Sequence, residues 1–313
     1  DPRHLACDTA IRPSLEFLLT EQSTNGGFAW GSHAKQYADN DTTAVVLKAL
    51  GDATANSPGG LANEIAPARR RAGAFLVRNQ SSNGGFTEFG RSPFSLSMGK
   101  AHWLRVVHNA TTPDVTARCL QGLLSCEDSL AYGKEVDRAA DFLLRTQVEN
   151  GAWWSRWWAA YLPGTFFAMQ ALGSLLMQYD RNSAARYGFK MRIDQARDRA
   201  IAFLLNHQNS DGGWGEVREA DIDAELAGIG SSTPVKTALA VQALLAGGLG
   251  SKHAAIANAI RYLLTRIDDD GSFEDNDSDY SINTGSLYYA HPLPALCFPL
   301  AAFSDYLRLT GLK

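Results

Sequence analysis

The residues best suited to chemistry in this chain stand in one short run, Tyr37-Ala38-Asp39-Asn40-Asp41-Thr42-Thr43-Ala44. Two carboxylates this close oppose each other's ionisation, and partial burial opposes it further. Such a pair can hold a proton at neutral pH and deliver it as an acid. Thr42 and Thr43 add hydroxyl donors beside it, and Asp41 is also the natural N-cap of a helix beginning here. A second resource is aromatic: Phe28 and Trp30, Phe86 and Phe89, Trp153-Trp154 and Trp157-Trp158 with Tyr161, Phe166-Phe167, and Tyr288-Tyr289. Aromatic faces attract cations by roughly 0.5–2 kcal/mol each, more when water is excluded. A protonated carboxylic acid at one end of a dry, π-walled pocket suits carbocation chemistry.

The elements that must position these groups come from a repeat. Gln22…Gly26-Gly27-Phe28, Gln80…Gly84-Gly85-Phe86, Gln147…Gly151-Ala152-Trp153 and Gln208…Gly212-Gly213-Trp214 share one pattern, and Gly271-Ser272-Phe273 closes a fifth copy. The first glycines recur 58 to 67 residues apart, a period that predicts one helical hairpin per repeat. In each hairpin the first helix ends at the Gln, and glycine turns the chain out of it. The second helix opens at Asp41-Thr42, Pro113-Asp114, Gly164-Thr165 or Thr233-Pro234. Second helices are apolar nearly all round, whereas first helices carry a charged face, as in Ala68-Arg69-Arg70-Arg71. Buried inner helices ringed by half-solvated outer ones make an all-α fold, an α/α-toroid of about five or six hairpins, here one α/α-barrel domain over 1–313. Inner-helix N-termini then converge on one rim. Phe28, Phe86, Trp153, Trp214 and Phe273 are expected to pack on the repeat turns, which leaves Trp30, Phe89, Trp157, Phe167 and Tyr288 for substrate.

Composition narrows the partners. With 29 Lys plus Arg against 33 Asp plus Glu, the net charge of −4 provides no polycation for nucleic acid. No run of 18 apolar residues predicts a membrane span, and no secretory signal is visible in the first thirty residues. Cys7, Cys119, Cys126 and Cys297 form no CxxC motif and read as buried free thiols of a reducing, cytoplasmic compartment.

The Gln…Gly-Gly-Trp/Phe repeats resemble the QW motifs of squalene-hopene and oxidosqualene cyclases. Asp39-Asn40-Asp41-Thr42-Thr43-Ala44 resembles the DxDD-T-A signature of class II terpene cyclases. Ser155-Arg156-Trp157…Tyr161-Leu162-Pro163-Gly164-Thr165, Asp211-Gly212-Gly213-Trp214-Gly215-Glu216, Gly230-Ser231-Ser232-Thr233-Pro234 and Phe298-Pro299 extend the resemblance from about residue 12 to 306. The second α-domain of the larger cyclases has no counterpart, so the chain is similar to single-domain class II cyclases of the merosterolic acid synthase type, which act on prenylated aromatic acids. The resemblance implies a metal-independent, cofactor-free cyclase with Asp41 as general acid and Asp39 as its orienting partner. It places cation-stabilising aromatics at Trp30, Phe89 and Trp157. Leu287 and His291 fall where the hopene cyclases have aromatics. Thr42 replaces the last motif Asp, and Pro163 and Leu287 replace usual aromatics, which points to a wall reshaped for a different polyene.

An alkene is a very weak base, so the acid needs an aimed proton and a stabilised conjugate base; the helix N-terminus and the Thr42 and Thr43 hydroxyls can serve. The final cation requires a nucleophile: a phenol or carboxylate of the substrate, or a water held by His108 or His291. Arg91, Lys100, Arg105 and Arg156 are candidates for binding an acidic aromatic head. A lipid substrate makes peripheral membrane contact plausible, with Gly90–Leu104 as a candidate entrance loop. Alternatives stay open: a cyclase of squalene or a diterpene, or a non-enzymatic hydrophobic-ligand-binding or scaffold toroid. Zinc prenyltransfer needs a Cys/His set beyond His291 and Cys297. Asp268-Asp269-Asp270 and Asp275…Asp279 read as solvated turns rather than class I metal sites, with calcium a lesser reading of the second cluster. A glycosidase would pair Asp41 with Asp114 or Glu216 across a cleft.

Overall fold

A computed structural model describes residues 2–54, 61–90, 110–126, 132–179, 187–274, 280–283, 287–289 and 292–311. These are helical apart from turns, single-residue bridges and one short ribbon, and the chain divides into two compact units. The first comprises residues 1–111 with 118–142, the second 112–117 with 143–313. In the first unit lie α1 (Pro2–Thr20), α2 (Asn40–Thr54), α3 (Ala62–Asn79), most of α4 (Pro113–Leu124) and the start of α5 (Gly133–Thr146). The second holds α6 (Tyr161–Tyr179), α7 (Tyr187–Asn206), α8 (Pro234–Ala246), α9 (Ala254–Leu264) and α10 (Pro292–Thr310). Strands β1 (Tyr280–Asn283) and β2 (Leu287–Tyr289) pair antiparallel, with Ser281 opposite Tyr288. This ribbon was not foreseen, because its runs are too short to show a two-residue period.

The expected division of labour between helices holds in most places. In α3 the buried residues Ile65, Ala68, Ala72, Phe75 and Leu76 follow the three-four spacing of one face, while Arg70 and Arg71 are exposed. By contrast α8 is buried from Pro234 to Leu244, and α6 is buried over nearly all of Tyr161 to Leu176. The first unit's α2 departs from the all-round burial its apolar sequence suggests: Val45 is exposed, and Lys48 pairs with Asp52 at 2.5 Å on an exposed face.

The repeat turns explain why one motif recurs. Each Gln donates its side-chain N–H to the turn's own glycine carbonyl and to a carbonyl of the next outer helix. Gln22 reaches Gly26 and Ala68, Gln80 reaches Gly84 and Glu135, Gln147 reaches Gly151 and Ala196, and Gln208 reaches Gly212 and Ala255, at 2.8–2.9 Å. The aromatic is held from behind: the N–H groups of Phe28, Trp153 and Trp214 donate to the hydroxyls of Thr43, Thr165 and Thr237, early in α2, α6 and α8. The Trp153 and Trp214 indoles, both fully buried, donate to Leu143 and Leu204 at 2.7 Å, so these large side chains bury no unmet polar atom. Gly84 shows why glycine is required, since its φ is +88° and an added Cβ would collide with the Arg138 carbonyl.

One helix start lies earlier than the sequence suggests. Gly164-Thr165 was expected to open the third inner helix, but α6 begins at Tyr161. Its start is capped from afar, because Glu216 Oε2 accepts the N–H groups of Tyr161 and Leu162 at 2.9 Å, and Glu216 Oε1 accepts that of Gly228 at 2.8 Å. Burial pushes the Glu216 carboxyl upward, opposed by Lys236 and by these donors. The cysteines divide: Cys119 and Cys126 are buried free thiols as expected, but Cys297 is exposed, because it lies on the open face of α10. Among the described residues no helix is long and apolar enough to cross a membrane.

Candidate active site

The carboxylate pair sits at the first turn of α2, and its two members have different surroundings. Asp39, not Asp41, is the N-cap. Its Oδ1 accepts the Thr42 N–H at 2.6 Å and its carbonyl accepts the Thr43 N–H at 3.3 Å. The expectation that Asp41 caps the helix is corrected, since the bridge between Phe28 and Asp39 brings the chain in extended and the helix starts at Asn40. Asp39 is completely buried, and among the described residues its Oδ2 has no hydrogen-bond partner. Burial first, and then the charge of Asp41, push its carboxyl up to about 7, against the Thr42 N–H and hydroxyl and the charge of Arg118. The pair therefore retains a proton near neutrality, as crowding and burial predict.

Asp41 keeps 16% of its side chain exposed, and its Oδ1 lies 2.7 Å from Arg118 Nε. The approach is an ion pair rather than an aligned hydrogen bond. Arg118 is the one charged residue in the last two turns of α4, and its side chain is only 10% exposed. Close helix approach delivers it. Gly122, one turn further on, lies against the backbone of Ala44, where an added Cβ would stand 3.1 Å from the carbonyl oxygen. The Cys119 thiol lies 3.7 Å from the Asn40 carbonyl, and the charges of Asp41, Glu88, Arg118 and Asp39 all act on it. Glu88 enters from the second repeat turn, where its carbonyl accepts the Asn40 N–H at 2.8 Å and its Oε2 is buried. Neither Arg118 nor Glu88 was singled out in the sequence. For Arg118 the available signal was a lone cation midway along a helix whose other charge, Asp114, lies in the first turn.

The two hydroxyls act differently. Thr42 supports Asp39. Thr43 donates to the Asp39 carbonyl at 2.5 Å and accepts from Phe28, so it is a structural group.

The other singled-out residues lie as follows. In the first unit Phe89 is buried, whereas Trp30 is 62% exposed and meets His33 edge-on at 5.1 Å between centroids. In the second unit Phe167 is buried against Phe166 at 4.9 Å and against Trp158 at 5.9 Å, and Phe298 stands edge-on to both of those rings. Trp157 is half-buried with the Arg156 guanidinium 5.0 Å over its ring. Asp114 Oδ2 holds this segment by accepting the Ser155 hydroxyl and the N–H groups of Arg156 and Trp157 at 2.9–3.2 Å. Leu287 and Tyr288 lie on β2. His108, His291, Arg91, Lys100, Arg105, the acidic run 275–279 and the entrance loop beyond Gly90 lie outside the described residues. Among the described residues no cluster of His, Cys, Asp and Glu could hold a metal ion.

Comparison with known proteins bears on family and fold. Squalene–hopene cyclase of Alicyclobacillus acidocaldarius is 31% identical over 302 residues, covering 90% of this chain and 42% of the relative. That of Zymomonas mobilis is 29% identical, covering 91% and 41%. The chain thus spans about two fifths of the length of these curated relatives. Among solved structures, type II terpene cyclase MstE from Scytonema, in a substituted form holding its substrate geranylgeranyl dihydroxybenzoate, superposes with a TM-score of 0.65 at 17% identity. The match covers 96% of this chain and 82% of that one. The ent-copalyl diphosphate synthase of Streptomyces platensis matches at a TM-score of 0.60 and 22% identity, over 95% of this chain and 46% of that one. The all-α, α/α-toroid class expected from the repeats is the fold of these neighbours. The squalene-hopene cyclase C-terminal domain model matches residues 18–308, so the chain belongs to that family.

Proposed function

We propose that the chain carries out proton-initiated, metal-independent cyclisation of a linear polyprenyl chain borne on an aromatic acid. The observation that carries this reading is the unequal carboxylate pair: a sealed Asp39 that keeps a proton near pH 7, beside an Asp41 with exposed surface. Asp39 has no surface with which to meet a substrate, so Asp41 is the acid and Asp39 its orienting partner. The one proton that the pair retains moves from Asp39 to Asp41 and passes from there to a terminal alkene carbon, whose π electrons form the new C–H bond. Successive double bonds then attack the cation, and loss of a proton or attack by the substrate's own phenol or carboxylate ends the sequence, so that the reaction is a net isomerisation. The first turn of α2 favours the carboxylate left behind by about 0.3–1 kcal/mol, more in a partly buried setting.

Phe89, Trp157 and Phe167, with the neighbouring Trp158, Phe166 and Phe298, are the rings suited to stabilising cations. The guanidinium of Arg156 over Trp157 suits an acidic aromatic head. What supports this substrate class is that a neighbour in fold holds a prenylated dihydroxybenzoate. Such a lipid substrate also favours peripheral membrane contact.

The test replaces Asp41 by Asn and supplies geranylgeranyl dihydroxybenzoate and, separately, squalene, with chelator present. Cyclic product from the wild type, lost by at least 10²-fold in the variant with binding retained, is expected. Unchanged cyclisation in D41N removes Asp41 from the mechanism.

A further inference from the structure

We infer that Lys236 is a positioning residue of the aromatic wall: its ammonium ties down the stretch between Trp158 and the start of α6, and so fixes how the Trp157 and Trp158 rings stand toward a cyclising cation. This rests on the proposed cyclase reading. All the groups involved lie in the second unit. The connector from Trp154 to Ala160 is not helical, so its buried backbone groups need partners from elsewhere. At one end Asp114 Oδ2 gathers the Ser155 hydroxyl and the N–H groups of Arg156 and Trp157. At the other, Glu216 Oε2 takes the N–H groups of Tyr161 and Leu162. Between these clamps the Lys236 Nζ donates to the Ala159 carbonyl at 2.7 Å, one residue beyond Trp158. The Trp158 ring meets Phe298 edge-on at 5.3 Å and Phe167 at 5.9 Å, so a shift at Ala159 is passed on to three rings of the wall.

A lysine is a costly residue at this place, which argues for a role beyond filling space. Lys236 is 2% exposed and stands in the first turn of α8, where the helix dipole disfavours a cation. A methionine would occupy the same volume without the desolvation of a charge. Glu216 offsets that cost: its carboxyl is buried, and the charge of Lys236 pulls it down against its own desolvation. Lys236 thereby acts on the connector twice. It holds Ala159 directly, and it favours the ionised, better-accepting form of the carboxylate that starts α6. Also facing Glu216 are the Tyr161 phenol from α6, on which Asp221 and Asp223 act as well, and His207 from α7, whose ring lies behind Gly228. Asp221 in turn accepts the Trp154 indole N–H at 3.1 Å, a further hold on the same connector.

The experiment uses the full chain with Lys236→Met and Lys236→Arg, supplied with geranylgeranyl dihydroxybenzoate. Products are separated by ring count, and near-UV circular dichroism reports how the tryptophans are held. Isotope-edited infrared titration without substrate follows Glu216, with E216Q assigning the band. In K236M the Glu216 midpoint should rise by about 1–3 in pH, because the carboxyl loses the opposite charge that holds it down. The share of early-quenched products should rise by about 10-fold, since small displacements at a reacting centre cost up to about 10²-fold. The near-UV spectrum should change with it. K236R keeps a cation and donors, and should return all three readings toward the wild type. A Glu216 midpoint that stays or falls in K236M overturns the pairing. A raised midpoint with products and spectrum unchanged overturns the positioning role. Should K236M fail to fold, an unmoved midpoint in K236Q overturns the proposal equally. A wild type that cyclises neither geranylgeranyl dihydroxybenzoate nor squalene sinks the cyclase reading instead, and the midpoint and near-UV spectrum of K236M then decide the role of Lys236.

Discussion

Replacing Asp39 by Asn should make the protein's stability less sensitive to pH, and the size of the effect follows from its burial. The carboxyl is raised from 3.8 to about 7 in the folded chain. Between those values the folded state holds a proton that the unfolded state has lost, so stability falls as pH rises from about 4 to 7 and is level above. At 1.36 kcal/mol per pH unit, a rise of about three units means that Asp39 costs the folded state about 4 kcal/mol at pH 8 and almost nothing below pH 4. Asparagine cannot ionise, so that pH-dependent cost disappears. It is also as good an N-cap as aspartate and can keep the Thr42 N–H on its Oδ1. Its Nδ2, standing where Oδ2 has no partner among the described residues, adds a penalty of about 1–3 kcal/mol that does not vary with pH. Relative to wild type, D39N should therefore be about 1–3 kcal/mol less stable at pH 4 and equal or more stable at pH 8. The difference between the two conditions should be about 4 kcal/mol. Urea unfolding at both pH values measures it, since titrations common to both proteins cancel. The same variant should lose cyclisation by on the order of 10²-fold. A difference between wild type and variant that is the same at pH 4 and pH 8 would refute the argument that the buried carboxyl keeps its proton.

Other outcomes follow from the framework. Glu216→Ala strips acceptors from the N–H groups of Tyr161, Leu162 and Gly228 and should cost about 3–5 kcal/mol in unfolding free energy, read by thermal or denaturant melts. Gly84→Ala places a Cβ at a positive φ and against the Arg138 carbonyl, and should destabilise by at least 1–3 kcal/mol, with the turn's amide protons exchanging faster. Trp157→Ala removes a half-buried ring and should shift products toward early-quenched cations with a small loss of stability. A large fall in Tm would assign that ring to the core.

Much of the architecture was readable from local pattern. The Gln-to-glycine turns recur at a helical-hairpin period, and each acts within a few residues of itself: Gln80 bonds Gly84, and glycine supplies the positive φ of the turn that follows the hairpin's first helix. The Asp39–Asp41 run likewise announced crowded carboxylates, because their proximity is written in the chain. What depended on packing was how the two would differ. Local preference favoured Asp41 as the cap, yet the pairing of Phe28 with Asp39 moved the cap to the earlier residue and sealed it from water. Arg118 and Glu88 come from distant segments, and Glu216 reaches across 55 residues to start α6. Spacing in sequence carries no information about such meetings, because they depend on how closely helices approach and on which buried donors remain to be satisfied. Periodicity thus sufficed for helices and turns, whereas protonation, ion pairing and remote capping are properties of neighbours that only the folded chain brings together.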